Sequence, residues 1–224
     1  MLNAGTGGPH RQSLALFSPD GRQWSDRAAV AGAGASLGRI AWHLGRAYSI
    51  GYGTEGNPPL RLYTSADGLN FTVQADAIRD SGEPTESSLL FLPNGDALCL
   101  LRGELGKSRV PYRGWTWKDL KLGIAGLNLI RLPDERIVMA GRIFDTTVRT
   151  ALCWLDPEQE TLTEFLILPS GGDSGYPGMV FYDGFLWLSY YSSHEGRAMI
   201  YFAKVKLPPV GGGKKPPRRL TFGD

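Results

Sequence analysis

Cysteine and histidine are scarce in this chain of 224 residues. The two cysteines, Cys99 and Cys153, are too few and too far apart for the disulfide framework of a small secreted domain, so buried thiols are expected. The three histidines, His10, His43 and His194, share no metal-ligand spacing, and no metal centre is expected. No apolar run approaches the ~20 residues that a membrane-spanning helix needs. Charge of one sign is also lacking. With 24 Lys+Arg against 22 Asp+Glu the net charge is +2, which favours neither a nucleic-acid nor a membrane partner. The opening MLNAGTGGPH carries no signal-peptide pattern. No Gly-rich phosphate loop links a strand to a helix, and no Ser or Cys nucleophile is paired with a base, so no cofactor is expected.

What is abundant points elsewhere. Thirty glycines, fifteen prolines and 24 aromatic residues suggest many short strands joined by tight turns. Two phrases repeat, SPDGRQW at 18–24 and SADGLNF at 65–71, with Asp20 and Asp67 47 residues apart. A second pattern recurs in step with them. RIAWHLGRAYSIGYG (39–53), SLLFLPNGDALCLLRG (88–103), NLIRLPDERIVMAGR (128–142) and GMVFYDGFLWLSYYS (178–192) each read as apolar strand, four-residue turn, apolar strand. Pro-Asn-Gly-Asp is strong hairpin chemistry, because Asn and Gly accept positive φ. Degenerate versions of the Ser-x-Asp-Gly phrase stand in YRGWTWKDL (112–120) and LDPEQETLTEF (155–165). Four antiparallel strands per ~40–50 residues, repeated, is the pattern of a β-propeller blade.

The expected fold is therefore an all-β propeller of four-stranded antiparallel blades, with chain for about four to five of them. Residues 1–10 read as a disordered or linker N-terminus, 11–207 as a partial propeller, and 208–224 as a flexible, basic, Pro/Gly-rich tail. The chain opens in the middle of a blade, so missing upstream blades or self-association at an open edge are expected. Residues about eight positions from each hairpin turn fall at the opposite end of the blade, on one face of the disc. They are Tyr52, Glu86, Arg102, Arg142, Tyr176 and Tyr191, and His194 lies near the same face. Each has an ordinary structural role open to it; their coincidence at equivalent strand ends makes them candidates. His43 falls on a turn at the other face, and Glu55, in GYGTEG, is more weakly placed than these.

With those residues in place the chain resembles a sialidase (neuraminidase). Ser-x-Asp-Gly-x-x-Trp/Phe resembles the Asp-box of BNR-repeat sialidases, which are six-bladed, and the order Glu86, Arg102, Arg142, Tyr176 resembles their site. The likeness implies Tyr176 as nucleophile, Glu86 as its base, and Arg102 and Arg142 holding a sialic-acid carboxylate in bidentate pairs. Tyr52, Tyr191 and His194 would line the pocket. Ser18, Asp20, Gly21, Trp24, Ser65, Asp67, Gly68 and Phe71 would be structural Asp-box residues: Ser and Asp satisfy turn amides, Gly permits the bend, and Trp24 or Phe71 wedges between strands. Members of that family are often secreted or periplasmic.

The likeness also implies gaps. The family's first arginine and its aspartic acid/base have no counterpart here, so the site is expected to be incomplete. The leading expectation is a retaining, sialidase-like glycoside hydrolase acting on terminal α-linked sialic acid or a related acidic sugar, with a sialylated or other acidic glycan as partner. The alternatives are a non-catalytic carbohydrate-binding or scaffold propeller, and a hydrolase of a related anionic or neutral sugar.

Overall fold

The computed structural model describes residues 2–5, 12–32, 34–53, 59–80, 86–209 and 218–219, the first and last of these by backbone alone. His10 and Glu55 lie outside the described residues. Every regular element is a strand, and no helix occurs among the described residues.

The strands form five sheets. The first joins β1 (Leu2–Gly5), β2 (Ser13–Leu16) and β3 (Ala28–Val30) in that order. The second runs β4 (Ala35–Leu37), β6 (Arg46–Gly53), β7 (Leu60–Ser65), β8 (Thr72–Arg79), with β5 (Ala41–His43) also paired to β6. The third contains β9 (Ser87–Phe91), β10 (Ala97–Leu101), β11 (Glu104–Ser108) and β12 (Thr116–Asp119) in chain order. The fourth contains β13 (Gly123–Arg131), β14 (Ile137–Phe144), β15 (Arg149–Asp156) and β16 (Thr161–Ile167); the fifth contains β17 (Ser174–Tyr182), β18 (Phe185–Ser192) and β19 (Met199–Val205). A two-residue strand, β20 (Arg218–Arg219), lies parallel to β16.

The repeated hairpins sit where the sequence puts them, and local chemistry explains each. Leu44-Gly45 and Asp183-Gly184 are two-residue turns with both φ positive, at 47° and 76° and at 50° and 75°. Such turns match the right-handed twist of the flanking strands. PNGD and PDER close in a second way: Leu92 N–H donates to the Asp96 carbonyl and Leu132 N–H to that of Arg136, at 2.8 and 2.9 Å. Gly95 and Glu135 occupy the same left-handed position in these two turns.

Short segments near both ends pair with strands. Residues 2–5, read as linker, form β1 and pair antiparallel with β2. Arg218 and Arg219, within the expected free tail, pair with Leu166 and Ile167. The physical reason is shared, since a strand edge offers unpaired N–H and C=O groups to any extended segment whatever its side chains. Composition alone does not register that.

The chain divides into two compact units, residues 1–101 with 106–117, and residues 102–105 with 118–224. Unit 1 packs around Ile50, Leu62, Leu89 and Cys99, with a second cluster around Val30, Ala47 and Tyr63. Unit 2 packs around Val138, Leu152, Leu186 and Leu188, all essentially without solvent exposure. Each buried leucine of this kind contributes roughly 1.5–3 kcal/mol through the apolar surface it removes from water. Strand alternation puts Leu186, Leu188 and Tyr190 of β18 inward and sends Trp187, Ser189 and Tyr191 to the other face. On that other face, Val180, Tyr182, Ile200 and Phe202 stand exposed, and no strand lies beyond β19 among the described residues.

Candidate functional site

The Ser-x-Asp-Gly phrases resolve first, as turns between β2 and β3 and between β7 and β8. In both, the Asp carboxylate accepts from the N–H groups two and three residues on: Arg22 and Gln23 at 2.8 and 2.9 Å for Asp20, Leu69 and Asn70 at 2.8 Å each for Asp67. In both, the Ser hydroxyl donates to that carboxylate and accepts from the Gly N–H, for Ser18 with Gly21 and Ser65 with Gly68. Gly21 and Gly68 have φ of 73° and 76°. The degenerate copy keeps half the device: Asp156 accepts from Glu158 and Gln159 N–H at 2.9 Å. In each of these turns Oδ1 of the Asp is committed to the turn's own N–H groups. Phe71 is buried as expected of a wedge, but Trp24 is 43% exposed and does not wedge. It lies four residues before β3, outside any strand.

The candidates from equivalent strand ends separate into groups. Tyr52 on β6 and Glu86, one residue before β9, share a narrow cleft in unit 1 with Ser36, Ser87 and Leu101. Arg142, Tyr176 and Tyr191 come together in unit 2. Arg102 directly follows β10, one residue past the Leu101–Ser87 pair, as the count from the turn placed it. It is the first residue of the two-residue Arg102-Gly103 turn between β10 and β11, exposed, with φ of 44°. A residue in the left-handed region leaves the strand's alternation.

Tyr176 departs from its expected pairing for a related reason. Gly175 pairs with Tyr191 and Gly178 with Ser189, so Tyr176 and Pro177 together oppose the single residue Tyr190, one extra residue in β17. The bulge holds Tyr176 at φ of 50°, 53% exposed, with its ring stacked on Tyr191 at 6.1 Å between centroids and 21° between planes. A bulky residue in that region is held against a cost of roughly 1–2 kcal/mol. The neighbouring strand supplies the room. β13 has its own bulge between Ala125 and Asn128, and a Cβ on Gly126 would stand 2.8 Å from the Tyr176 nitrogen. Asn128 Nδ2 donates to the Pro177 carbonyl at 3.1 Å and ties the two bulges together.

The centre of the cluster is a residue the sequence reading missed. Asp173 accepts at one oxygen, Oδ1, from both Arg142 Nη1 and the Tyr191 hydroxyl, the latter at 2.7 Å. Its carboxyl is held below the usual carboxylate range, first by the Tyr191 hydrogen bond and then by Arg142. The side chain is 68% exposed, whereas that of Arg142 is only 18% exposed and lies over the Phe144 ring at 5.2 Å. The loop that carries Asp173 is pinned at both ends. Leu168 N–H donates to the Thr150 carbonyl at 3.0 Å, the Thr150 hydroxyl to Ser174 at 3.0 Å, and Ser193 to the Asp173 carbonyl at 3.1 Å. Asp173 lies in GGDSG, where no periodicity marks it; its position three residues before Tyr176 is the one available signal.

His194 follows β18. Its Nδ1 lies 2.9 Å from the Ser192 hydroxyl and its ring 4.7 Å from that of Tyr201, so it braces the turn into β19. The inward Tyr190 shows the contrast with Tyr191. It donates to the Pro169 carbonyl at 2.8 Å, and burial pushes its phenol up to about 12. Among the described residues, no group of three or more metal-ligating side chains occurs.

No protein-family model matches the chain, and no curated protein matches it. Solved structures do. A crystal structure of a protein of unknown function from Dyadobacter fermentans aligns with a TM-score of 0.75 at 20% identity, over 89% of this chain and 64% of that one. An endo-1,4-beta-xylanase from Bacteroides thetaiotaomicron aligns at 0.59 and 12% identity, over 76% of this chain and 68% of that one. The Bacillus subtilis arabinanase Arb43A aligns at 0.53 and 16% identity, over 77% and 73%. The fold is a β-propeller. This propeller is one that glycoside hydrolases use, and at such identities the fold alone is shared. The sialidase likeness narrows accordingly, since the two named enzymes are a xylanase and an arabinanase. The chain spans 64% of the Dyadobacter protein's length.

Proposed function

We propose that the chain is a carbohydrate-binding propeller of the glycoside-hydrolase type, and that it holds sugar at Tyr176, Tyr191, Arg142 and Asp173. One observation carries the reading: a stacked and partly exposed tyrosine pair beside a charged pair whose carboxylate is open to solvent. Sugar rings present apolar C–H faces and a rim of hydroxyls. An aromatic platform suits the first, and a carboxylate with a guanidinium suits the second. The fold shared with a xylanase and an arabinanase supports the same class of ligand.

Hydrolysis is the second reading, favoured by the strained and exposed setting of Tyr176. A phenol nucleophile needs a base, and Asp173, whose carboxyl is held below the usual range by Tyr191 and Arg142, is a weak one. Its depressed pKa equally disqualifies it as the general acid, whose absence typically lowers rate about 10²–10⁴-fold. Sialic acid as substrate would require Arg142 to accept a second carboxylate beside Asp173.

Calorimetry with xylo-, arabino- and galacto-oligosaccharides and with sialyllactose tests the proposal. At least one sugar binds, and Tyr176→Ala and Tyr191→Ala each weaken it about tenfold or more. Absence of binding to every sugar, or unchanged binding in both variants, overturns it. Turnover of aryl glycosides that disappears in Tyr176→Phe supports the hydrolase reading; turnover that persists removes Tyr176 as nucleophile.

A further inference from the structure

The reading above leaves the charge class of the sugar open, and the present inference rests on that reading. We infer that Asp173 fixes this class, making the site one for neutral sugars and turning acidic sugars away.

The argument starts from Arg142. A guanidinium at a strand end is a natural receptor for a sugar carboxylate, because it is always charged and offers paired N–H donors. In this chain one arm of that receptor is already taken by a carboxylate of the protein itself. Asp173 Oδ1 takes Arg142 Nη1 and the Tyr191 hydroxyl together. Arg142 Nε is buried and has no hydrogen-bond partner among the described residues, so an incoming anion cannot use it without moving the side chain. A sugar carboxylate would have to expel Asp173 or lie beside it, carboxylate against carboxylate.

The next residues along β14 and β15 sharpen this. Ile143 pairs with Arg149, and Arg149 is bound by two carboxylates, Asp145 and Glu164. The end of this sheet thus carries two guanidiniums against three carboxylates, an environment that repels an anion. A neutral sugar meets no such barrier. Asp173, 68% exposed, presents a carboxylate to sugar hydroxyls, which donate to it in charge-assisted hydrogen bonds. Asp173 is therefore a specificity-determining residue whose charge does two things: it accepts from hydroxyls, and it neutralises the arginine that would otherwise recruit an acid. Discrimination of this kind needs a repulsive element as well as an attractive one, and a single side chain supplies both.

The test measures binding of galactobiose, xylobiose and arabinobiose against digalacturonic acid and sialyllactose, by calorimetry on the full chain. The variants are Asp173→Asn and Asp173→Ala, with Tyr176→Ala as a control on the platform. Asn keeps the volume and removes the charge, and unchanged melting temperatures verify folding. Wild type prefers a neutral sugar over both acids by about tenfold or more. Asp173→Asn shrinks or inverts that ratio by about tenfold, through weaker neutral and tighter acidic binding. A wild type that binds an acid more tightly overturns the inference. So does a neutral-to-acidic ratio that stays within about threefold in both Asp173 variants. If Tyr176→Ala abolishes neutral binding while the Asp173 variants leave the ratio unchanged, the site stands and only the role of Asp173 falls. If no sugar binds any form, site and inference fall together.

Discussion

At the scale of single residues, the recurring aspartates turn from candidate catalysts into structural anions. Asp20 and Asp67 each spend their carboxylate on two backbone N–H groups and a serine hydroxyl. Asp67 has one partner more, Asn70 Nδ2 at 2.7 Å, and its pKa is the further depressed, with the Asn70 backbone and side chain as leading causes. Asp67→Ala should therefore lower the melting temperature more than Asp20→Ala does. The sign of the pH dependence follows from the direction of the shift. A depressed folded-state pKa means that the unfolded chain binds the proton first, so the stabilisation is complete above the unfolded value of about 3.9. It is lost as the pH falls through the folded-state value. Thermal melts of wild type and Asp67→Ala from pH 7 to 2 should differ most above about pH 4–5 and converge below it. A gap that stays constant down to pH 2 would show that the carboxylate charge is not what holds the turn.

At the scale of elements, the hairpins were legible and the bulges were not. PNGD, HLGR and YDGF advertise their turns through residues that accept positive φ, and pairing propagates from a turn with fixed register. That register carried Arg142 and Tyr191 to the cluster where the count from the turns placed them. It failed where the backbone inserts a residue, at Tyr176. The Arg-Gly pair between LCLL and ELGKS carries the signature of the two-residue turn that follows β10. Asp173 was beyond reach for another reason: its partners are 18 and 31 residues away and its own loop has no pattern. The paired bulges carry an element-scale prediction. Gly126 has φ of 51° and faces the Tyr176 backbone, so a methyl group there must push β17 away from β13. Gly126→Ala should cost about 1–3 kcal/mol in denaturant unfolding and weaken sugar binding by more than that loss of folded protein explains. Gly114→Ala, at a position open to solvent, should do neither.

At the scale of the whole molecule, stability rests on separate apolar cores, and each unit happens to carry a reporter in its own core. Cys99 belongs to the unit 1 cluster around Leu62 and Leu89, and Cys153 sits on β15 in unit 2 beside Leu152. Both are free thiols with 0% and 1% exposure. Burial pushes the Cys99 thiol far up and the Cys153 thiol up to about 12, so neither supplies the thiolate that disulfide exchange requires. In the native protein at pH 8, an aromatic disulfide reagent should react with neither cysteine over hours. Each should react only when its unit opens. Cys153→Ser leaves Cys99 as the sole reporter for unit 1, and Cys99→Ser leaves Cys153 for unit 2. Labelling each across a denaturant series, beside the fluorescence transition, yields a separate opening free energy for each core. Leu152→Ala, at a site without solvent exposure, should then advance labelling of Cys153 by the equivalent of about 2–5 kcal/mol. Rapid labelling of either thiol in native buffer would contradict the closed packing of the strand that carries it.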